Sequence, residues 1–298
     1  MTKFLELCVQ GIATGAQYAL VALGFVIIYR ATGVINFAQA GFVVLGAYLA
    51  YDFHITLGVP FYPALALAML AGALIGVIVE ATVLRRLVGQ PPFVVIMITI
   101  GVLTIIEQIV PTIWGANPLP LGDPWGVKSK KVGDIVLRVS DLWTIGIVFG
   151  VVVLFFLFFR YTKFGVAMRA TAVDLEAALA QGISVRGVVA VSWAIAGMVA
   201  ALAGVTLAGG GAGVRPDIEL VAFAAFPAII LGGLDSPGGA VVGGLIIGLA
   251  QSLTAGYQPE YASWLGQGFN LVMPYFVMII VLMVRPFGLF GQRQVRRA

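Results

Sequence analysis

The chain has 298 residues, of which 61% are hydrophobic and 10% charged, with a net charge of +4 and a mean hydropathy of +1.06. A soluble domain carries about 25% charged residues, so this composition excludes a soluble protein and indicates an integral membrane protein. Its single cysteine, Cys8, excludes an internal disulfide, and its single histidine, His54, excludes a multi-histidine metal site. The positive charge reflects loop bias rather than nucleic-acid binding.

Apolar runs along the chain predict an all-α, polytopic membrane protein with about eight or nine transmembrane helices. Each run is close to the roughly 20 residues needed to cross a bilayer. The first run is longer than the apolar part of a cleaved signal peptide, so we expect it to remain as a span. The runs are 7–29, 34–53, 61–84, 93–114, 142–160, 187–208, 218–234, 237–255 and 267–285.

The basic residues predict which loops face the cytoplasm. With the N-terminus outside, 11 of the 17 lysines and arginines fall in inner loops. Four of the other six lie in one long outer loop, 115–141. We therefore predict nine spans, an outer N-terminus and an inner C-terminus. Residues 1–298 are expected to form one transmembrane domain.

Two of the runs are interrupted. Run 34–53 begins with Asn36 and Gln39, and run 218–234 contains Pro227 and leads into a tight Asp-Ser-Pro-Gly-Gly turn. Broken or re-entrant helices occur at membrane depth only where they are buried in protein or line a cavity. Each run can equally be an ordinary kinked helix. A re-entrant run would change the span count and the side of the N-terminus.

A polar segment, 160–186, interrupts the apolar sequence and is expected on the cytoplasmic side. Within it, Thr171 and Asp174 predict an N-terminal capping box, and Gly182 predicts a left-handed helix end. The roughly ten residues between would form a helix about 15 Å long, too short to cross a membrane. We interpret it as a docking helix for a soluble partner. An ordinary interfacial loop helix is the alternative.

Three motifs in order give the chain its resemblance to a known family. They are Gly33-Val-Ile-Asn-Phe-Ala-Gln-Ala-Gly41 followed by Leu45-Gly-Ala-Tyr48, then Arg169 through Gly182, then Gly232-Gly-Leu-Asp-Ser-Pro-Gly-Gly-Ala-Val-Val-Gly-Gly244. With them the chain resembles, over nearly its whole length, the permease subunits of bacterial ABC importers for branched-chain amino acids. Glu176-Ala-Ala-Leu-Ala-Gln-Gly182 is similar to the EAA-x-x-x-G loop by which importer permeases engage their ATPases. The downstream Leu-Pro of many importers is absent here.

The resemblance implies a set of partners and a location. These are two cytoplasmic ATP-binding subunits, a second permease, which is a sister chain in most of the family, and an extracytoplasmic substrate-binding protein. The chain would be a multi-pass protein of the bacterial cytoplasmic (inner) membrane, surrounded by lipid. It lacks a G-x-x-x-x-G-K-[ST] loop, so ATP would bind to the partner subunits and this chain would carry no cofactor or catalytic residue of its own. The expected ATPase-coupling residues are Asp174, Glu176, Ala177, Ala178 and Gly182.

Polar residues inside the predicted spans are candidates for the substrate pathway. They are Gln17, Tyr18, Asn36, Gln39 and Glu107. Polar side chains in a bilayer need partners, so the first four should face the bundle interior, where they either line the pathway or hold neighbouring helices together. An ionisable group within a span is a functional candidate by default, although Glu107 could also be a hydrogen-bonded structural residue.

Other residues point to structure rather than transport. Glu80, one turn before Arg85 and Arg86, is expected to pair with them. Four small-x-x-x-small pairs are expected to pack helices closely, within the chain or against the second permease. They are Gly11/Gly15, Gly72/Gly76, Gly239/Gly243 and Gly244/Gly248.

Two other classes of protein fit the composition less well. A self-contained secondary transporter is also polytopic, but it usually needs buried ionisable residues for ion coupling, and here Glu107 is the one reasonable candidate. An intramembrane enzyme is disfavoured by the lack of paired aspartates in facing spans, of HExxH and of G-x-S-x-G. The sequence does not distinguish branched-chain amino acids from other amino acids, urea or short amides.

Overall fold

The computed structural model describes residues 2–87, 90–173 and 175–291, and of residues 172, 173, 175 and 176 it describes the backbone alone. This part of the chain forms α-helices and one β-hairpin. In chain order the elements are α1 (Thr2–Thr32), α2 (Ala38–Tyr51), α3 (Phe61–Thr82), α4 (Pro92–Trp114), β1 (Ser129–Val132), β2 (Ile135–Arg138), α5 (Val139–Tyr161), α6 (Lys163–Val173), α7 (Leu175–Ala180), α8 (Val185–Ala208), α9 (Ile218–Ala224), α10 (Phe226–Gly232), α11 (Pro237–Tyr261) and α12 (Phe269–Val284).

Each of the nine predicted runs is a helical segment, which confirms the all-α, polytopic fold. Within the described residues, six helices are long and apolar enough to cross a membrane: α1, α3 with its continuation to Leu87, α4, α5, α8 and α11. The other three runs are shorter or broken. They are α2, continued by a π-helical turn at Asp52–Thr56, the pair α9–α10, and the 16-residue α12.

Helix α1 forms the centre of the bundle. Its residues from Tyr18 to Ile28 are all buried, and α11, α8 and α5 pack around it. In contrast, α3, α4, α5 and α12 carry many exposed apolar side chains, for example Leu70, Ile105, Phe149 and Ile280. An apolar exterior around a small-residue interior is the arrangement expected of a protein dissolved in lipid.

The small-x-x-x-small pairs pack helices against each other within this chain. A Cβ on Gly15 would lie 2.7 Å from the Cα of Leu245, and one on Gly248 would lie 2.2 Å from the backbone nitrogen of Gly15. Gly72 and Gly76 approach α8 in the same way, at the carbonyls of Gly197 and Trp193. Gly239 and Gly243 do so against α10. The close packing predicted from the sequence is therefore internal at all four pairs.

Both interrupted runs are irregular in the structure. The chain leaves α1 at Gly33, where φ is +70°, and α2 begins only at Ala38. The run 218–234 breaks at Ala225 into two seven-residue helices, because Pro227 cannot donate a hydrogen bond into the preceding turn. Ser236 then accepts a hydrogen bond from the Gly239 nitrogen and caps α11. The predicted tight turn before that helix is confirmed.

The long loop 115–141 contains a β-hairpin that the sequence reasoning did not anticipate. Strands β1 and β2 pair antiparallel, with Ser129 opposite Arg138 and Val132 opposite Ile135. The two-residue turn is Gly133-Asp134, and Gly133 has φ of +61°. The hairpin is tied to the bundle by Glu6, whose carboxylate accepts a hydrogen bond from the Val136 nitrogen.

The bundle has two distinct ends. At one end, the loop face, the segment before the hairpin joins the segment after α8 through paired backbone hydrogen bonds of Leu119 and Val214. There His54 also contacts the Gly122 carbonyl at 3.1 Å. At the other end, the basic face, lie the ends of α1, α3 and α5 with Arg30, Arg85 and Arg160. Helices α9–α10 run between the two faces.

Candidate functional site

The polar segment at the basic face is helical from Lys163, nine residues earlier than predicted. Thr162 caps this helix: its hydroxyl accepts a hydrogen bond from the Gly165 nitrogen at 3.0 Å. The predicted cap at Thr171 is wrong, because Thr171 lies inside α6 and donates its hydroxyl to the carbonyls of Ala167 and Met168. A threonine can bond backward to the preceding turn as well as cap a helix, and here it does the former. Asp174 lies outside the described residues.

The predicted helix end at Gly182, within this segment, is confirmed. Gly182 has φ of +77°, its nitrogen donates to the Leu179 carbonyl, and the Ile183 nitrogen donates to the Ala178 carbonyl. These two bonds form a Schellman motif, which satisfies the last carbonyls of α7. Ala178 is buried, whereas Ala177 and Gly182 are exposed. The side chain of Glu176 lies outside the described residues, so its predicted contact remains a prediction.

A cluster at the basic face connects α6 to the transmembrane helices. Arg169 on α6 donates a hydrogen bond to the carbonyl of Phe159 near the end of α5. The guanidinium of Arg30, at the end of α1, lies 5.6 Å from the Phe159 ring centre. Arg30 is also within electrostatic reach of Asp235, in the turn between α10 and α11, and of Arg169. We call these four residues the basic-face joint. Through it α6 reaches both α1 and the broken segment α9–α10.

The C-terminal segment holds the inner end of the broken helix. The nitrogens of Leu289 and Phe290 donate to the carbonyls of Leu231 and Gly232, at 2.8 and 3.1 Å. These are carbonyls that the end of α10 would otherwise leave unpaired. Backbone hydrogen bonds from the chain after α12 therefore hold the end of α10, which lies beside the basic-face joint.

Three of the predicted pathway residues are hydrogen-bonded between helices. Gln17 on α1 donates to the Thr206 carbonyl of α8 at 2.8 Å, and Tyr18 donates to Gln251 of α11 at 2.5 Å. Gln39 on α2 crosses over α1 and donates to the Ala196 carbonyl of α8 at 3.1 Å. In each bond the two residues are more than 150 positions apart in the sequence. All three lie at packed interhelical contacts.

Asn36 occupies the irregular start of α2. Its side-chain oxygen accepts a hydrogen bond from the Ala38 nitrogen at 3.1 Å, which organises the first turn. The adjacent Phe37 nitrogen donates to the hydroxyl of Thr99 on α4. Asn36 and Gln39 are both almost completely buried. The Asn36 amide nitrogen and the Gln39 amide oxygen are buried without a hydrogen-bond partner among the described residues, so the pathway role of both residues stays a prediction.

Glu107 has an acidic neighbour that the sequence reasoning missed. Its carboxyl group on α4 lies within hydrogen-bonding reach of the carboxyl group of Glu219 on α9. Both side chains are partly buried on this chain. The rule that singled out Glu107, an ionisable group inside an apolar run, would also have found Glu219 at the second position of run 218–234. Their proximity depends on how α4 and α9 both pack against α2.

The predicted pairing of Glu80 is confirmed. Its carboxylate accepts two hydrogen bonds from the Arg85 guanidinium, at 2.6 and 3.2 Å, and the Glu80 side chain is only 3% exposed. Among the residues that the structure describes, no three His, Cys, Asp or Glu side chains come together as a metal site would require.

Comparison with known proteins places the chain in a family. The profile of the family described as "Branched-chain amino acid transport system / permease component" matches residues 7–282. The chain belongs to this family. The match extends from the first helix to α12 and so includes the interrupted runs, the polar segment and the basic-face joint. Thus the resemblance drawn from the three sequence motifs is confirmed.

Named relatives of the permease cover nearly its whole length. The high-affinity branched-chain amino acid transport system permease protein LivH of Salmonella typhimurium is 29% identical over 99% of this chain and 97% of its own. BraD of Pseudomonas aeruginosa is 29% identical over 99% and 98%. A probable LivH of Methanocaldococcus jannaschii is 32% identical over 91% and 88%.

One solved structure has a similar outline. PsaBC from Streptococcus pneumoniae in complex with Fab aligns over 92% of this permease and 90% of its own chain, with a TM-score of 0.49 and 14% identity. That likeness is too low to establish a shared fold.

Proposed function

We propose that this permease is a transmembrane subunit of an ATP-driven importer that carries branched-chain amino acids across the bacterial cytoplasmic membrane. The observation that carries the proposal is the family match over residues 7–282, joined by relatives whose names assign them to branched-chain amino acid transport systems. The substrate class rests on those names. A substrate screen would distinguish branched-chain amino acids from related small amino acids or amides.

ATP hydrolysis takes place on separate subunits in this proposal. Two cytoplasmic ATPases bind the polar segment 160–186, with Asp174, Glu176, Ala177, Ala178 and Gly182 as the coupling contact. The exposed Ala177 and Gly182 fit a surface that a partner covers, while the buried Ala178 holds α7 on the bundle. ATP is bound by those partners, and the permease needs no cofactor of its own. A second permease, a sister chain, and an extracytoplasmic binding protein complete the importer.

Movement passes from the ATPases to the pathway through the basic-face joint. Closure of the ATPases displaces α6, and Arg169, Arg30 and Asp235 pass the displacement to α1 and to the end of α10. Rigid-body movement of helices around a fixed site produces alternating access. Gln17, Tyr18, Asn36 and Gln39 keep the moving helices in register, and Glu107 contributes to the pathway itself.

The test is a pull-down of the tagged permease from detergent-solubilised native membranes. We expect two ATPases and a second permease to co-purify with the wild type, and the ATPases to be lost in Glu176→Arg. Asp134→Arg is the matched control, because it makes the same charge reversal in the exposed hairpin turn at the opposite face. Gly182→Leu should also lose the ATPases, since a φ of +77° strains a branched residue.

Either of two results would contradict the proposal. The permease could be recovered alone and still transport when reconstituted by itself, which would make it a secondary transporter. Alternatively, Glu176→Arg and Gly182→Leu could retain the ATPases and full transport, which would remove the coupling contact from this segment.

A further inference from the structure

Helix α4 exposes a polar face to the surroundings of the single chain. The helix packs mainly against α2, and the residues that it buries recur every three or four positions: Thr99, Leu103, Ile106 and Val110. With 3.6 residues a turn, Thr104 and Gln108 lie on the opposite side of the helix, and both are exposed. We call these two residues and their exposed neighbours the outward face of α4. The neighbours are Met97, Gly101, Ile105 and Thr112.

The two polar side chains lie deep in the membrane. Helix α4 runs from Pro92 to Trp114. Thr104 is therefore about 18 Å from the first end and about 15 Å from the second, counting 1.5 Å a residue. Gln108 is one turn nearer to Trp114. Because the hydrocarbon core of a bilayer is about 30 Å thick, both side chains lie well inside it.

The outward faces of α3, α5 and α12 are of a different kind. Away from the helix ends their exposed side chains are aliphatic or aromatic, for example Leu70, Phe149 and Ile280, and lipid can cover them. Gly146 of α5 is exposed as well, but the exposed residues around it are apolar. A polar face at mid-membrane depth therefore distinguishes α4 from these three helices.

The polar groups of this face differ in whether they already have a hydrogen-bond partner. The Thr112 hydroxyl donates to the Gln108 carbonyl of its own helix at 2.7 Å. In contrast, neither the Thr104 hydroxyl nor the Gln108 side-chain amide forms a hydrogen bond with any described residue. Lipid tails offer no donor or acceptor, so both groups need a partner from outside this chain.

A protein surface fits the outward face better than water does. Beside the two polar side chains, Ile105 is 59% exposed and Met97 is 43% exposed, and water solvates both poorly. Helices that pack in membranes combine small residues, which let backbones approach, with hydroxyl and amide groups that bond across the contact. Gly101 supplies the first feature, since no neighbouring atom lies within 4 Å of its would-be Cβ. Thr104 and Gln108 supply the second.

We propose that the outward face of α4 packs against the second permease subunit, which places hydrogen-bonding groups opposite Thr104 and Gln108. The inference rests on the proposed function, which includes a second permease, and it assigns the surface by which this chain meets that subunit. The four glycine pairs that the sequence offered for such a contact all pack within this chain. An amide both donates and accepts, so a facing hydroxyl, amide or free backbone carbonyl satisfies Gln108.

The test identifies the neighbour of this face in the assembled importer. The photo-cross-linking amino acid p-benzoylphenylalanine replaces Ile105, which leaves Thr104 and Gln108 intact. Matched controls carry it at Phe149 of α5 or Ile280 of α12, which are 69% and 61% exposed. Native membranes are irradiated, and the tagged permease is purified under denaturing conditions for mass spectrometry. We expect peptides of the second permease to be attached at position 105 and at neither control position.

Substitutions then measure the hydrogen bonds of the contact. In Gln108→Leu or Thr104→Val, the apparent dissociation constant of the two permeases should rise about three- to twentyfold, the range found for hydrogen bonds between membrane helices. Dilution of the purified complex in detergent measures this constant. Thr112→Val is the matched control on the same face, because the Thr112 hydroxyl already bonds within its own helix. It should leave the constant unchanged.

Several outcomes would overturn the inference while leaving the proposed function intact. A second permease that co-purifies but is cross-linked only from a control position would place the contact on another helix. Adducts with lipid alone at position 105 would make the face lipid-covered. In a Cys8→Ser background, labelling of Ile105→Cys by a water-soluble maleimide in the assembled complex would make it part of an aqueous pathway. An unchanged dissociation constant in both Gln108→Leu and Thr104→Val would remove their hydrogen bonds from the contact. Recovery of this permease without a second permease or ATPases would overturn the proposed function first.

Discussion

At the scale of single residues, the structure assigns most polar side chains within the helices to specific partners. Glu80 is an example: a carboxylate that is 3% exposed is held by the guanidinium of Arg85, which is 41% exposed. The pair follows from sequence spacing, because five residues bring the start of the 3₁₀ turn Leu84–Leu87 back toward the last turns of α3. The two partners depend on the pairing to different degrees, because Arg85 reaches water and Glu80 does not.

Substituting Arg85 alone should therefore destabilise the protein more than substituting both Glu80 and Arg85. Arg85→Gln leaves a buried carboxylate without its counter-ion, and we expect a clear loss of thermal stability, smaller than that of breaking a fully buried pair because Arg85 is partly solvated. The double variant Glu80→Gln/Arg85→Gln should recover most of that loss. Thermal unfolding in detergent measures both. Equal stability of Arg85→Gln and the wild type would contradict the prediction.

At the scale of elements, glycine spacing decides which helices touch. The α1–α11 contact depends on Gly15, Gly244 and Gly248, where a side chain on one helix would meet the backbone of the other. In lipid there is little hydrophobic gain from helix association, so close backbone approach supplies much of the attraction. The spacing was visible in the sequence, whereas the pairing of α1 with α11 was not.

Widening this contact should destabilise the bundle. In Gly15→Val, the Cβ alone would lie 2.7 Å from the Cα of Leu245, so the helices must separate, at a cost of about 1–3 kcal/mol or more. Gly146→Val is the matched control, because Gly146 lies inside α5 with no neighbour within 4 Å of its would-be Cβ. The melting temperature and the monodisperse yield in detergent should fall for Gly15→Val alone. Parallel losses in both variants would argue against a specific contact.

The basic-face joint is a second property of elements, since it links α6 to α1 and α10. In the importer, Asp235→Asn should weaken this link while leaving the ATPases bound. We expect ATP hydrolysis by the reconstituted complex to persist and the amino acid transported per ATP to fall by up to about fivefold, because an electrostatic interaction between partly solvated groups is worth at most about 1 kcal/mol. Asp134→Asn, in the hairpin turn, is the control. An unchanged ratio of transport to hydrolysis in Asp235→Asn would exclude the joint from coupling.

At the scale of the whole molecule, the question is how many times the chain crosses the membrane. Helices α9–α10 run from the loop face, where Val214 pairs with Leu119, to the basic face, where Asp235 lies near Arg30. Only 15 residues, 218–232, cover this distance, about 22 Å at 1.5 Å a residue. The segment is short for a bilayer of roughly 30 Å, yet its two ends contact opposite faces.

Labelling from one side of the membrane would settle the count. In a Cys8→Ser background, single cysteines at Asp217 and Arg285 are both exposed and are separated by α9–α10, α11 and α12. If α9–α10 crosses, a membrane-impermeant maleimide should label Asp217→Cys in intact cells and Arg285→Cys only after permeabilisation. Labelling of both from outside would make α9–α10 re-entrant and would overturn the nine-span topology.

By itself, the sequence determined the fold class, the positions of the nine apolar helical runs, the stop at Gly182 and the ion pair of Glu80 with Arg85. These features depend on composition or on residues within a few positions of one another, so local physical rules suffice. It also determined the family, through motifs whose residues stand in a fixed order.

Only the tertiary structure decided which distant residues meet. The hydroxyl of Thr171 bonds within α6 because that helix already begins at Lys163, after the Thr162 cap, and Glu107 and Glu219 come near each other because α4 and α9 both pack against α2. Contacts between Gly15 and Gly248, or between Arg30 and Asp235, join positions more than 200 residues apart. Such pairings depend on the packing of whole helices, and in a membrane nearly every helix is apolar enough to face any other. For that reason the local pattern specifies the helices but not their neighbours.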